Sequence, residues 1–276
     1  MFGLLKEWLP RRISDILCLF VIVLFLPIVF LFEMGVVLPA VHMKGSFLHN
    51  ITFMLAMFIM SNLKGNMLAC AMTDTSVDHK KVMPPENAVT EAGWHNCDKC
   101  NNISPPRSWH CDICKCCILK RDHHCPFTSC CVGHKNQRYF LMFVCYLFLG
   151  SLYAFAYNTY YIWVLKGDVY RNWYTVLKMS GPFMVVITGF SRNDVYLFFY
   201  SLNILALIYS LALLIHHGRN VLSGDVCYNS GSNMYDEGWK QNLKTIFGER
   251  MHLVWISPLI SSKLEHDGLQ WKPKTN

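Results

Sequence analysis

His110-Cys111-Asp112-Ile113-Cys114-Lys115-Cys116-Cys117-Ile118-Leu119-Lys120-Arg121-Asp122-His123-His124-Cys125 packs five cysteines and three histidines into sixteen positions. Read outward, the pattern is Cys97-x2-Cys100-x9-His110-Cys111-x2-Cys114-x2-Cys117-x4-Asp122-His123-His124-Cys125-x5-Cys131. Paired Cys-x2-Cys spacings with further Cys and His nearby are the signature of tetrahedral zinc. Two four-coordinate sites need about eight ligands. The segment offers nine cysteines plus His110, His123, His124 and His134. At least one cysteine is therefore left over, and spacing alone leaves open which one, because ligands can interleave. Pro105, Pro106, Gly93 and Gly133 suit a compact, loop-rich domain that folds around metal.

The surrounding chain reads as membrane-spanning. Of its 276 residues 53% are hydrophobic and 16% charged, and the mean hydropathy is +0.25, more apolar than a water-soluble domain of this length requires. Four windows carry the excess: Ile13 to Phe32, Phe47 to Leu63, Tyr139 to Val164 and Val195 to Ile215. Each is near the ~20 residues that cross hydrocarbon. The piece from Gly181 to Phe190 is too short to span and reads as a lumenal loop half-buried at the interface. The expected class is an all-α polytopic membrane protein with four transmembrane helices and a cytosolic two-zinc cysteine-rich domain between helices 2 and 3.

Orientation follows from the basic residues. Three precede the first window, ten lie from Lys64 to Arg138 and seven follow the last, so 20 of 25 fall on one side. That side is expected to be cytosolic. The resulting divisions are a cytosolic N-terminus (1–12), helices 1 and 2 with a short lumenal loop (13–63), the cysteine-rich domain (64–138), helices 3 and 4 with a lumenal loop at 165–194 (139–215), and a cytosolic tail (216–276). The net charge of +7 is assigned to membrane orientation and anionic headgroups, not nucleic acid. Nine of the thirteen cysteines fall between Cys97 and Cys131, in the loop placed in reducing cytosol, which argues for metal over disulfides.

Continued through Cys131-x4-Asn136-x3-Phe140, the run resembles the cysteine-rich domain of the DHHC family of protein S-acyltransferases, or palmitoyltransferases. Four helices flanking the domain match that family too. The resemblance implies one zinc on Cys97, Cys100, His110 and Cys117 and a second on Cys111, Cys114, His124 and Cys131. Asp122, His123 and Cys125 remain for chemistry. It also implies transfer of a long-chain acyl group, such as palmitoyl, from acyl-CoA to cysteine thiols of substrate proteins through an acyl-enzyme on Cys125. The implied setting is the endoplasmic reticulum or Golgi.

Those residue types suit the reaction. The thiolate is the nucleophile, and a free thiol near pKa ~8.5 is little ionised at neutral pH. His123 is the expected general base, with Asp122 orienting its ring. Arg107, Lys135 and Arg138 are the expected contacts for the phosphates of CoA, and Gly150 a place where a long acyl chain could end. The acyl tail, worth about 0.8 kcal/mol per buried methylene, explains why such an enzyme is built into a bilayer.

Some features depart from the family. Phe127 stands where many members have Trp. Thr73-Asp74-Thr75-Ser76 replaces the usual Asp-Pro-Gly, and no Thr-Thr-x-Glu follows the fourth helix. Tyr235-Asp236-x-Gly238 with Asn242-x4-Phe247-Gly248 resembles the family's tail motif, in which an Asn and an aromatic brace the tail. Cys70 and Cys227, near helix ends, read as juxtamembrane acylation sites. Nucleic-acid binding is excluded by the prolines that interrupt the loop where basic helices would be needed. Transport is disfavoured because the spans lack paired intramembrane charges.

Overall fold

The computed structural model describes residues 10, 12–79, 82, 93–180, 189, 191–271 and 273–274. Nearly all of the apolar piece from Gly181 to Phe190 lies outside these. Among the described residues, four helices are long and apolar enough to cross a membrane: α1 (Ile13–Val41), α2 (Phe47–Met72), α3 (Gln137–Leu165) and α4 (Arg192–Leu222). All overrun the hydropathy windows, because helical hydrogen bonding does not stop where apolar composition does. In α1 wider turns occur at Val21–Phe25 and Glu33–Val37. Each precedes a proline, Pro27 or Pro39, whose missing N–H breaks the regular ladder.

The chain divides into two compact units, one of residues 23–61 and 144–212, the other of residues 1–22, 62–143 and 213–276. The first is helical. Its core is Val37, Tyr161, Ile162, Tyr170, Leu197 and Tyr200. Buried Glu33 accepts a hydrogen bond from Asn158 Nδ2, and Asn203 Nδ2 donates to the Ser151 carbonyl at 3.1 Å. Glu33 and the Asn203 amide nitrogen are thus paired. Gly150 lies against Ile59, whose Cγ2 would be 3.3 Å from an added Cβ. Helix packing explains this glycine.

The second unit holds the cysteine-rich region, which is not helical. It forms three antiparallel hairpins: β1 (His95–Cys97) with β2 (Asn102–Ser104), β3 (Trp109–Cys111) with β4 (Cys116–Ile118), and β5 (His123–Cys125) with β6 (Cys130–Val132). The all-α description therefore holds for the spans but not for this region. Three-residue strands are too short for alternation to show in the sequence.

The hairpins repeat. Their outer pairs are His95↔Ser104, Trp109↔Ile118 and His123↔Val132, a period of 14 from 95 to 109 to 123. The turn residues Asn101, Lys115 and Ser129 have φ of 51°, 60° and 53°, the left-handed conformation needed to close each hairpin. The knuckle Cys97-x2-Cys100 becomes Cys111-x2-Cys114 and then Cys125-x2-Thr128. In the third repeat the second ligand is gone.

Little apolar matter holds the hairpins. Their buried clusters are Val77, Cys97, Cys117 and Leu119, and Cys111, Ile118 and Cys131. More than half of these residues are cysteines. The segment after α2 supplies further support: Val77 donates to the Cys117 carbonyl at 2.8 Å and Leu119 to that of Thr75 at 2.9 Å. This edge pairing occupies the place of the missing Asp-Pro-Gly. Downstream lies a short helix, α5 (Trp239–Phe247). Asn242 donates to the carbonyl of Leu222 at 2.8 Å and to Asp236 at 2.7 Å, tying the tail to the end of α4.

Candidate metal centres and active site

Two groups of four donors gather in the hairpins: Cys97, Cys100, His110 and Cys117, and Cys111, Cys114, His124 and Cys131. In each, the donor atoms lie within 4.8 Å of one another. The construction follows from the repeat. One hairpin contributes its Cys-x2-Cys turn, and the next contributes a directly opposed strand pair, His110↔Cys117 or His124↔Cys131. Cys100 Sγ is 3.2 Å from His110 Nδ1 and 3.6 Å from Cys117 Sγ. Cys114 Sγ is 3.4 Å from His124 Nδ1 and 3.6 Å from Cys131 Sγ. A tetrahedral ion with bonds of ~2.0–2.3 Å sets donors roughly 3.3–3.8 Å apart. The thiol and imidazole donors present fit zinc in both number and spacing. His134, which the sequence also offered as a ligand, belongs to neither group; its Nε2 faces the His266 carbonyl at 2.9 Å.

Cys125 ends β5 and is buried, with 2% of its surface exposed. It is in neither ligand group. His123, two residues back on the same strand, feels Cys125 as one of the groups that raise its imidazole, and its Nδ1 is 2.7 Å from Asp122 Oδ2. The edge-on ring of Phe140, centroids 4.8 Å apart, holds the His123 imidazole from the start of α3. Asp122, His123 and Cys125 thus come together as one chain of contacts. Gly133 lets this turn pack closely: an added Cβ would sit 2.5 Å from the Leu119 carbonyl oxygen.

The electrostatics are unequal. Burial opposes the charge on His123, but its hydrogen bond to Asp122 and the neighbouring Cys125 and Cys227 outweigh it and raise the imidazole to about 12. Burial would raise Asp122, yet the bonds to His123 and His217 hold it well below the ordinary carboxylate range. The pair is therefore an ion pair over ordinary pH.

Two residues that the sequence did not assign to the site complete it: Cys227, which read there as an acylation site, and His217. Cys227 donates its backbone N–H to Asp122 Oδ1 at 2.8 Å. His217 Nδ1 lies 3.4 Å from Asp122 Oδ2. Asp225, fully buried, fixes the turn that carries Cys227 by accepting from the Gly231 N–H at 2.9 Å and the Ser232 hydroxyl at 2.8 Å. No spacing rule links residues some ninety positions apart. The only local signals were the His216-His217 pair at the end of α4 and a cysteine shortly after it.

The expected CoA contacts are placed differently from one another. Arg107 is 5% exposed, donates to the Gly224 carbonyl at 2.6 Å and lies over the rings of Tyr235 and Trp271. With Lys120 it lines a cavity of about 700 Å³. Arg138 donates to the carbonyl of Ser262 at 3.4 Å and to the Tyr139 hydroxyl. Lys135 is exposed. Cys70 is fully buried, which removes it as a juxtamembrane acceptor.

A chain with four candidate membrane spans and zinc-type ligand sets that leave the cysteine of Asp-His-His-Cys unliganded has a recognisable relationship. The family model for the DHHC palmitoyltransferase matches residues 90–231, and the chain belongs to that family. It is 34% identical to "Probable palmitoyltransferase ZDHHC24" of Danio rerio over 185 residues, 65% of this chain and 62% of that protein, so under two thirds of the fish protein is spanned. The proteins of the same name from Mus musculus and Homo sapiens are 29% identical over 278 residues and 31% identical over 229, covering 93% and 77% of their lengths.

Proposed function

We propose that this chain is a protein-cysteine S-palmitoyltransferase working by two thioester exchanges. In the first, the Cys125 sulfur attacks the acyl-CoA carbonyl, the C–S bond to CoA breaks, and CoA leaves as the thiol. In the second, a substrate cysteine thiol gives its proton to His123, which the first step left neutral, as its sulfur attacks the acyl-Cys125 carbonyl, and the Cys125 sulfur leaves to pair again with the protonated His123. Each step makes and breaks one thioester, so the enzyme's task is placement and charge.

The observation that carries this reading is the chain of contacts Asp122 to His123 to Cys125 beside two ligand sets that exclude Cys125. The ionised pair gives His123 a role other than the simple base expected from sequence: it is the counter-ion of the attacking sulfur and the proton source for departing CoA. Two bound zinc ions would fix the turn geometry; when bound, the metal supplies structure and not Lewis acidity. Cys97, Cys100, His110 and Cys117 would hold one, and Cys111, Cys114, His124 and Cys131 the other.

Phe140 and Phe143, both buried near the start of α3, begin the path for the acyl chain. Lys135 and Arg138 meet CoA phosphates at the membrane edge, with Arg107 next to them in charge but committed to the tail. The chain is a multi-pass membrane protein of the endoplasmic reticulum or Golgi, with termini, cysteine-rich domain (64–138) and tail (216–276) in the cytosol. Its partners are the bilayer, acyl-CoA and proteins with membrane-proximal cysteines.

The test is incubation of purified chain with a clickable palmitoyl-CoA. A hydroxylamine-labile label that vanishes in Cys125→Ser, while zinc content stays at about two per chain, is expected. Labelling that persists in Cys125→Ser, or zinc lost with it, would overturn the reading.

A further inference from the structure

Asp122, His123, His217 and Cys227 form a third cluster of donors, all within 4.8 Å of one another. We propose that three of them, Asp122, His217 and Cys227, make a metal site, distinct from the two in the hairpins, which takes one Zn2+ and thereby switches off Cys125.

The two hairpin clusters serve as an internal yardstick. Seven of their donor pairs lie 3.2 to 3.9 Å apart. In the third cluster, Asp122 Oδ2 to His217 Nδ1 is 3.4 Å, Asp122 Oδ2 to Cys227 Sγ is 3.5 Å, and Cys227 Sγ to His217 Nδ1 is 3.7 Å. All three edges fall inside that range. One thiolate, imidazole and one carboxylate make the mixed sulfur, nitrogen and oxygen set that zinc accepts. The three come from different parts of the chain, β5's approach, α4 and the turn after it, so their convergence is not a by-product of local spacing.

His123 differs. Its Nδ1 is 2.7 Å from Asp122 Oδ2, a hydrogen-bond distance and too short for two donors of one ion. A proton occupies that gap. Zinc entering the cluster binds the carboxylate oxygen that accepts this proton, so ion and proton compete for the same atom. His123 then loses its partner, and Cys125 loses its counter-ion.

The position of Cys227 argues that its sulfur is not there merely to hold the turn. The bond that ties the turn to Asp122 comes from the backbone N–H of Cys227, at 2.8 Å, and any residue but proline would make it. The sulfur instead points among His216 Nε2 at 3.4 Å, His217 and Asp122. His216 is a further nitrogen at ligand distance from the sulfur, although it is exposed.

The inhibitory part rests on the acyltransferase reading; the metal site does not. The experiment therefore reads them separately. Full-length chain with its two tight zinc ions is dialysed against buffered Zn2+, and bound metal is counted. In parallel, labelling by clickable palmitoyl-CoA is followed at each zinc level. A third equivalent is expected, weakened at least 100-fold in Cys227→Ser and in His217→Gln, both still holding two zinc ions. Labelling of the wild type should fall as that equivalent binds. Each variant, compared with its own zinc-free rate, should resist. Stoichiometry fixed at two, or a third equivalent that both variants keep, overturns the site. A third equivalent with unaffected labelling overturns the switch. A wild type that never labels overturns the acyltransferase reading and leaves the site to be judged by the metal count.

Discussion

His124 Nε2 lies 3.4 Å from Asp15 Oδ2 across 109 residues of sequence, while His124 Nδ1 faces Cys111, Cys114 and Cys131. Asp15 is 1% exposed near the start of α1. A carboxylate on the far nitrogen of a ligating imidazole fixes its tautomer and raises its basicity. The acidic residue inside the apolar helix α1 thus supports the second metal cluster.

Removing that support should loosen one zinc and not the other. Asp15→Asn is expected to weaken the Cys111, Cys114, His124 and Cys131 site by about 10- to 100-fold. Release of zinc from the purified chain to a graded series of chelators measures it. Two ions leaving together at the wild-type chelator strength would refute the role.

The repeat makes a second prediction. Cys125 occupies the position that Cys97 and Cys111 hold in the earlier hairpins, and Thr128 stands where Cys100 and Cys114 do. Cys125 is a ligand position left without its partner. Thr128→Cys restores a Cys-x2-Cys turn, whose two sulfurs pair readily under oxidant. Acyl labelling of this variant should be lost with oxidant and recovered with reductant, with zinc content unchanged at about two. Labelling indifferent to redox conditions would argue against equivalence of the turns.

That the cysteine-rich segment holds donors for two zinc ions, and the four spans, could be expected from sequence because zinc spacing and hydropathy are local signals, whereas the division of the donors into two sets followed only from the family resemblance. The fourteen-residue period was equally local, in Cys97, Cys111 and Cys125, but three-residue strands gave no alternation to prompt a search for it. Asp15, His217 and Cys227 could not be found this way. Their partners, His124 and Asp122, are about ninety or more residues distant, and only packing brings them together. Arg107 shows the converse: basic residues near a domain suggest phosphate binding, yet its guanidinium is stacked on Tyr235 and Trp271, a use no charge count reveals.

The charged pair predicts a flat pH response. His123, raised to about 12 by Asp122, Cys125 and Cys227 against its burial, stays protonated from roughly pH 5.5 to 9, and Asp122, depressed, stays ionised. The rate of Cys125 labelling over that window should show no inflection near the ordinary histidine value of ~6.5. In Asp122→Asn the largest raising contact is gone and burial pulls His123 down. Its protonated form is then lost as pH rises, so labelling should be slower and fall with increasing pH. A wild-type inflection near 6.5 would restore His123 as a simple base.

Gly133 carries the last prediction. A Cβ there would lie 2.5 Å from the Leu119 carbonyl oxygen, 2.7 Å from Ile118 Cγ2 and 2.9 Å from Thr75 Oγ1. The oxygen cannot yield cheaply, since it accepts the His134 N–H at 2.8 Å. Nor can the glycine shift: its N–H donates to Asn136 Oδ1 at 2.8 Å, and Asn136 Nδ2 in turn donates to the Cys131 carbonyl at 2.9 Å. Overpacking of this kind costs about 1–3 kcal/mol, and here it bears on the strand whose middle residue is the donor Cys131. Gly133→Ala should therefore release the second zinc at lower chelator strength and slow Cys125 labelling, while the first zinc, whose donors lie in the two earlier hairpins, holds. Limited proteolysis of the cysteine-rich region with and without chelator reports both, and an alanine variant as resistant as wild type would show that the Leu119 segment can move away.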